Sequence, residues 1–196
     1  MQWDERYSEP GYAYGTEPND YLRSVQSRVP RMQVLSVAEG EGRNAVYLAT
    51  KGCQVTAVDA SSVGLSKAEQ LAAEHQVSIT PVVSDLNEYD PGEEKWDAVI
   101  SIFCHLPHTQ RARMYQKLVR SLKSGGVLVL EAYIPRQLEF ATGGPPSAEL
   151  MPTLDMLREE LQGLVFEQAQ ELEREVVEGT HHFGHAAVVQ VFARKP

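Results

Sequence analysis

The residues best suited to chemistry cluster in one early segment, Ala38-Glu39-Gly40-Glu41-Gly42-Arg43-Asn44-Ala45. Gly40, Gly42 and Ala45 fit a G-x-G-x-x-A spacing, which lets a strand turn sharply into a helix whose free N–H groups attract a polar ligand. Asp59, followed by Ala60, closes the next apolar run, where an acid can accept hydrogen bonds from both hydroxyls of a ribose. Asp85-Leu86 closes a third run; its carboxylate can accept from an adenine amino group while the Leu86 N–H meets a ring nitrogen. Phe103 and His105 follow a fourth. A histidine there titrates near neutrality and can orient an acceptor or take its proton, so His105 is the candidate catalytic residue.

Charge separates two nucleotide-like ligands that such a turn could hold. A dinucleotide sets its pyrophosphate on the helix N-terminus, where Glu39 and Glu41 would repel it. S-adenosylmethionine carries a sulfonium and an ammonium group and no phosphate, so an acidic turn suits it. A nicotinamide-dependent oxidoreductase and a cofactor-binding protein without transferase activity stay open as alternatives.

These residues need elements to hold them. Val34 to Ala38, Gln54 to Val58, Ser78 to Val83, Trp96 to Phe103 and Val127 to Ala132 read as strands. Helical spacing runs from Arg43 to Lys51, through Leu65, Ala68, Leu71 and Ala72 behind a Ser61 or Ser62 cap, and through Met114, Leu118 and Leu122, with Gly125-Gly126 ending the last. Asn19 can cap a short helix to about Arg28, and Leu154, Leu157 and Leu161 mark another. Alternating strands and helices predict a doubly wound, mostly parallel α/β sheet with ligands at the carboxyl ends of its strands. The tail breaks the alternation: Val165 to Val177 and Ala186 to Ala193 read as an antiparallel hairpin joined by Glu178 to His185. Residues 1–18, rich in aromatics, Gly and Pro, read as an ordered arm.

Composition bounds the function. With 196 residues, 42% hydrophobic and 23% charged, the chain is expected to form a single domain over 1–196. Its formal charge of −9 is the wrong sign for a nucleic-acid partner. Cys53 and Cys104 stand far apart in apolar settings and read as buried reduced thiols. The N-terminus lacks the basic and apolar pattern of a secretory signal and no run reaches membrane-spanning length, so a cytoplasmic location without membrane contact is expected. His181, His182 and His185 include an H-x-x-H spacing but lack further ligands, so a solvated turn and no metal are expected.

Taken in order, the motifs resemble the class I S-adenosylmethionine-dependent methyltransferases, and within them the small tellurite-resistance (TehB-like) branch. The matching segments are Val34 to Ala49, Val55-Thr56-Ala57-Val58-Asp59, Ser84-Asp85-Leu86, Trp96-Asp97-Ala98-Val99 and Leu122-Lys123-Ser124-Gly125-Gly126. The opening Trp3-Asp4-Glu5-Arg6-Tyr7 with Tyr14 to Asn19 is similar to that branch's arm. The chain departs from the family at Ser36, where an acid is usual, and at Ala38-Glu39, where the first motif glycine is usual. The resemblance implies a Rossmann-like, seven-stranded methyltransferase fold closed by a hairpin over 163–196, with the arm lying over the cofactor. S-adenosylmethionine would bind through Ala38, Glu39, Gly40, Gly42, Asp59, Ala60, Asp85, Leu86 and Phe103. The acceptor would be a small molecule, a thiol or a chalcogen oxyanion, held between His105, the arm and Tyr133 to Pro146.

Overall fold

The computed structural model describes residues 2–179 and 181–196. Its strands are β1 (Gln33–Val37), β2 (Gln54–Asp59), β3 (Thr80–Val83), β4 (Trp96–Ile102), β5 (Leu122–Tyr133), β6 (Val165–Glu178) and β7 (His182–Arg194). They form one sheet in the order β3-β2-β1-β4-β5-β7-β6. The first five are parallel, whereas β7 runs antiparallel to both β5 and β6. Around the sheet lie α1 (Gln2–Tyr7), α2 (Asp20–Val25), α3 (Arg43–Thr50), α4 (Ser62–Glu74), α5 (His108–Ser121) and α6 (Leu154–Glu160).

The strands' two-residue period feeds two cores. Leu35, Val37, Val99, Leu128 and Leu130 face one side and pack with Met114, Leu118, Leu157 and Leu161 of α5 and the α6 segment. Val34, Ala98, Ile100, Val127 and Val129 face the other and meet Leu22, Ala45, Leu48 and Leu65 of α2, α3 and α4. A central strand covered on both faces must be apolar at successive positions, which is why these runs lack alternation. Pro81 is tolerated in β3 because β3 is an edge strand. Asn19 Oδ1 accepts the Leu22 N–H at 2.9 Å and Ser61 Oγ accepts the Gly64 N–H at 3.1 Å, fixing the starts of α2 and α4.

The arm, expected to be ordered, contains a helix, α1, whose Trp3 and Tyr7 stack one turn apart with ring centroids 5.8 Å from each other. Two sequence expectations are corrected. Gly125-Gly126 lie inside β5, which begins at Leu122: Gly125 (φ +78°) kinks the strand where its pairing with β4 shifts register. The hairpin is longer and its turn tighter than expected. Glu178 pairs with His182, so most of the presumed connection is strand.

Candidate active site

The carboxyl ends of β1 and β4 lie side by side, Val37 being the register partner of Ser101. Just beyond them the backbone turns left-handed at two non-glycine residues, Ala38 (φ +51°) and Phe103 (φ +52°). Such turns are costly for residues with a Cβ and cluster at ligand sites.

Glu39 folds back into the turn that it belongs to. Its Oε1 accepts the N–H groups of Ala45 at 2.8 Å and Asn44 at 3.1 Å, while Oε2 is bonded by the Ser36 hydroxyl. Burial raises its pKa, opposed by Ser36, the two amides and Arg43. The chain thus carries its own acid on the N-terminus of α3, where a pyrophosphate would have to sit. Asp59 ties the tips of β1 and β2 together: Oδ2 accepts the Gly40 N–H and Oδ1 the Ser61 N–H, both at 2.8 Å. Burial raises its pKa too. A carboxylate offers about four acceptor positions, so these amides leave capacity for hydroxyl groups. The Ser84 N–H donates to Asp59 O at 2.9 Å, which brings Asp85-Leu86 alongside. Leu86 is buried, and exposed Asp85 holds the Asn87 amides through Oδ1.

The two glycines of the turn have different reasons. A Cβ on Gly42 would lie 2.4 Å from Ala68 Cβ, so Gly42 lets α3 approach α4. A Cβ on Gly40 would lie 2.6 Å from Tyr7 Oη, and one on Gly64 would lie 2.8 Å from Tyr7 Cδ2. Tyr7 of the arm therefore docks on a glycine pair beside the rim. Glu41 secures the arm, with Oε2 accepting the Ala13 N–H at 2.7 Å and Oε1 the Lys67 ammonium at 2.9 Å. Lys67 also donates to Glu9 O and Gly11 O. The acidic turn expected from the sequence is present, and both of its acids have partners within the chain.

On the β4, β5 and β7 side the rim is aromatic. Phe103 stacks on Tyr133 at 4.6 Å, and His182 meets Phe103 at 4.8 Å, Tyr133 at 5.2 Å and Tyr14 of the arm at 4.5 Å. His105 stacks beside Tyr133, and its Nε2 accepts the Tyr133 N–H at 3.0 Å. Its ring also bonds the Phe103 backbone, and burial lowers its pKa to about 3. As placed, this imidazole is neutral and braces two strand ends. The expected solvated turn is corrected at His182, which is buried; His185 is exposed and pairs with Glu173 and Glu175 at 2.8 and 3.1 Å. No cluster of three metal-ligating side chains occurs among the described residues.

Behind these rings lies a buried charge network. Glu131 accepts from Arg174 (2.6 and 2.8 Å), Gln190 (2.7 Å) and Asn19 (2.5 Å). Glu178 accepts from Arg43 at 2.6 Å and Asn19 at 2.8 Å. The Glu131 network and the burial of His182 escaped the sequence reading; the signal for the network was Glu131 and Gln190 on strands otherwise apolar.

Known proteins agree with this architecture. The profile of the family described as "Methyltransferase domain" matches residues 34–126. The Ubiquinone biosynthesis O-methyltransferase of Rickettsia conorii is 26% identical over 110 residues, 56% of this chain but only 37% of that protein's length. A structure from work on conversion of a disulfide bond into a thioacetal group during echinomycin biosynthesis is 22% identical, with TM-score 0.78 over 99% of this chain and 91% of that one. TehB from Haemophilus influenzae is 19% identical, with TM-score 0.73 over 90% and 62%. At such identities the structural likeness concerns the fold. The profile places a methyltransferase domain over residues 34–126, and the motif order and strand order agree with a class I methyltransferase that uses S-adenosylmethionine.

Proposed function

We propose that the chain transfers a methyl group from S-adenosylmethionine to a small neutral acceptor bearing a thiol or hydroxyl, in the pocket formed by Phe103, Tyr133, His182 and Tyr14. The observation that carries this reading is the adjacency of a cluster of aromatic rings to the Glu39–Asp59 turn across the β1–β4 boundary. The turn fits the cofactor on its own evidence. Glu39 fills the anion seat that a dinucleotide would need, and the acceptor capacity left on Asp59 suits two ribose hydroxyls. Ala38, Gly40, Ala60, Asp85, Leu86 and Phe103 would complete its binding surface, with Tyr7 and Tyr14 of the arm covering it; Gly42 serves by packing. The cofactor supplies an electrophilic methyl with a good leaving group, so the chain's part is largely to position and to exclude water.

A thiol fits this lining better than a chalcogen oxyanion, which would lose its hydration among aromatic rings with Glu178 close behind. The arm, sheet and hairpin act as a single domain in this reading. A reducing cytoplasm suits free, buried Cys53 and Cys104, burial pushing the Cys104 thiol up to about 12. No helix among the described residues is long and apolar enough to cross a membrane.

Calorimetric titration with S-adenosylmethionine, its demethylated product and NAD tests the cofactor: the first two bind and NAD does not. A product-nucleotide assay over small thiols, phenols, amines, selenite and tellurite tests the acceptor. Activity confined to selenite and tellurite would reject the neutral pocket, and activity confined to a macromolecule would reject the small-molecule reading.

A further inference from the structure

Methyl transfer by positioning alone leaves His182 without a task. It stands directly after the hairpin turn with 9% of its surface exposed, while His181 and Phe183 on either side are exposed. Its Nδ1 has no hydrogen-bond partner and faces Glu178 Oε2 across 3.7 Å, just beyond bonding distance. Tyr133 Oη is likewise buried and without a partner. The Cδ2 edge of His182, next to Nε2, and Tyr133 Oη both approach Gly143, where a Cβ would lie 3.3 Å from the first, 3.4 Å from the second and 2.6 Å from His181 O. Buried polar groups almost always find partners within a protein. The unpartnered Tyr133 hydroxyl and the Cδ2–Nε2 edge of His182 therefore share one small residue, while Nδ1 on the far side of the ring faces Glu178.

We propose that His182 is the proton acceptor for a protic methyl acceptor, with Glu178 stabilising the imidazolium and Tyr133 Oη donating a hydrogen bond to the acceptor's heteroatom. This rests on the methyl-transfer reading above and adds to it a residue and an acceptor class, a thiol or hydroxyl still carrying its proton. The acceptor's heteroatom–hydrogen bond breaks and its proton passes to the imidazole. The electron pair left on the heteroatom forms the new bond to the methyl as the methyl's bond to the sulfonium breaks, that pair neutralising the sulfur. The imidazolium then returns its proton to water. With Nδ1 turned toward Glu178, Nε2 is the nitrogen left for the acceptor.

The groups facing His182 make it a base that is ready in its neutral form. Glu178 approaches from β6, Arg43 from α3, Tyr14 from the arm, Tyr133 from β5 and His105 from the loop after β4, with His181 alongside. Burial lowers the His182 pKa most strongly, Arg43 and His181 lower it further, and Glu178 pulls it back up. A carboxylate behind an imidazole is the arrangement that steadies the charge arriving with the proton.

The test uses two thiols: benzyl mercaptan, protonated at neutral pH, and pentafluorothiophenol, already ionised. His182→Gln should lower turnover of benzyl mercaptan by 10²–10⁴-fold, the span of general-base catalysis, and of pentafluorothiophenol by less than tenfold. The acid limb of the benzyl mercaptan pH profile should vanish with it. In the cofactor-free protein, nitrogen-15 NMR should show the His182 ring titrating at lower pH in Glu178→Gln than in the parent, because the stabilising anion is gone. Equal losses on both thiols in His182→Gln, or an unmoved His182 titration in Glu178→Gln, would overturn the base assignment while leaving methyl transfer intact. A parent that binds S-adenosylmethionine yet methylates neither thiol overturns the acceptor class here and above.

Discussion

The two halves of the rim bury comparable numbers of polar groups and treat them differently. Over β1 and β2, Glu39 and Asp59 spend their oxygens on Ser36 and on the amides of Gly40, Asn44, Ala45 and Ser61. Over β4, β5 and β7, Tyr133 Oη and His182 Nδ1 are buried with nothing bonded to them. The first half is a frame that is finished before any ligand arrives, built from residues close in sequence. The second is unfinished, and its parts come from the arm, two strand ends and the hairpin. On the proposed reading, the satisfied half holds the cofactor and the unsatisfied half chooses the acceptor.

The comparison can be broken at four points of decreasing size. Glu131→Ala should cost about 3–5 kcal/mol of stability in urea unfolding, because it takes from buried Asn19 and Gln190 and half-buried Arg174 the carboxylate that they share. A cost below about 1 kcal/mol would mean that the scaffold of the acceptor half is not ionic. Acid should reveal the same scaffold. Burial alone would raise the Glu178 pKa, but His182 and Arg43 together hold it at about 2, against an ordinary 4.5. A carboxylate depressed in this way contributes stability that is complete above the ordinary value and lost as pH falls toward the depressed one, on the order of 3 kcal/mol here. Stability of the parent should therefore fall between about pH 4.5 and pH 2, and Glu178→Gln should flatten that decline.

Asp59→Ala should weaken S-adenosylmethionine binding by about 1.5–3 kcal/mol in calorimetry, the scale of hydrogen bonds to a charged acceptor. Unchanged affinity would reduce Asp59 to a brace for Gly40 and Ser61. His105→Ala should be the mildest, lowering turnover by less than tenfold. Its Nε2 is committed to the Tyr133 N–H and its ring is held neutral, so it serves by bracing Tyr133. A hundredfold loss with intact folding would restore it as the proton acceptor in place of His182.

The satisfied half was legible in the sequence because its partners lie within one strand-turn-helix unit or at the next strand's end. Gly40, Asp59 and the places of the first five strands along the chain followed from apolar runs and the residues that end them. Even there, the direction of Glu39 was hidden, since whether a side chain faces a ligand or its own helix depends on a backbone turn of φ +51° at Ala38. Glu41 was read as part of the ligand's field because nothing local announces Ala13 and Lys67 as its partners. The unsatisfied half was harder. His182, among His181, Gly184 and His185, has the look of a wet turn, and only the arrival of Tyr14, Phe103 and Tyr133 buries it. The α1 helix is too short to declare itself by periodicity, and its docking on Gly40 and Gly64 is a tertiary event.

Asn19 donates to both Glu131 and Glu178 while its own backbone N–H donates to Asn44. A domain generally folds as a unit, and this knot joins a residue near the start of the chain to one on the final hairpin. Asn44 and Arg43, on the helix that follows the turn, are tied through Asn19 and Glu178 to β6, so the surroundings of both halves of the rim are complete only when the ribosome has delivered the hairpin. A nascent chain that lacks its last two strands therefore lacks the support of the turn as well as the aromatic cluster beside it.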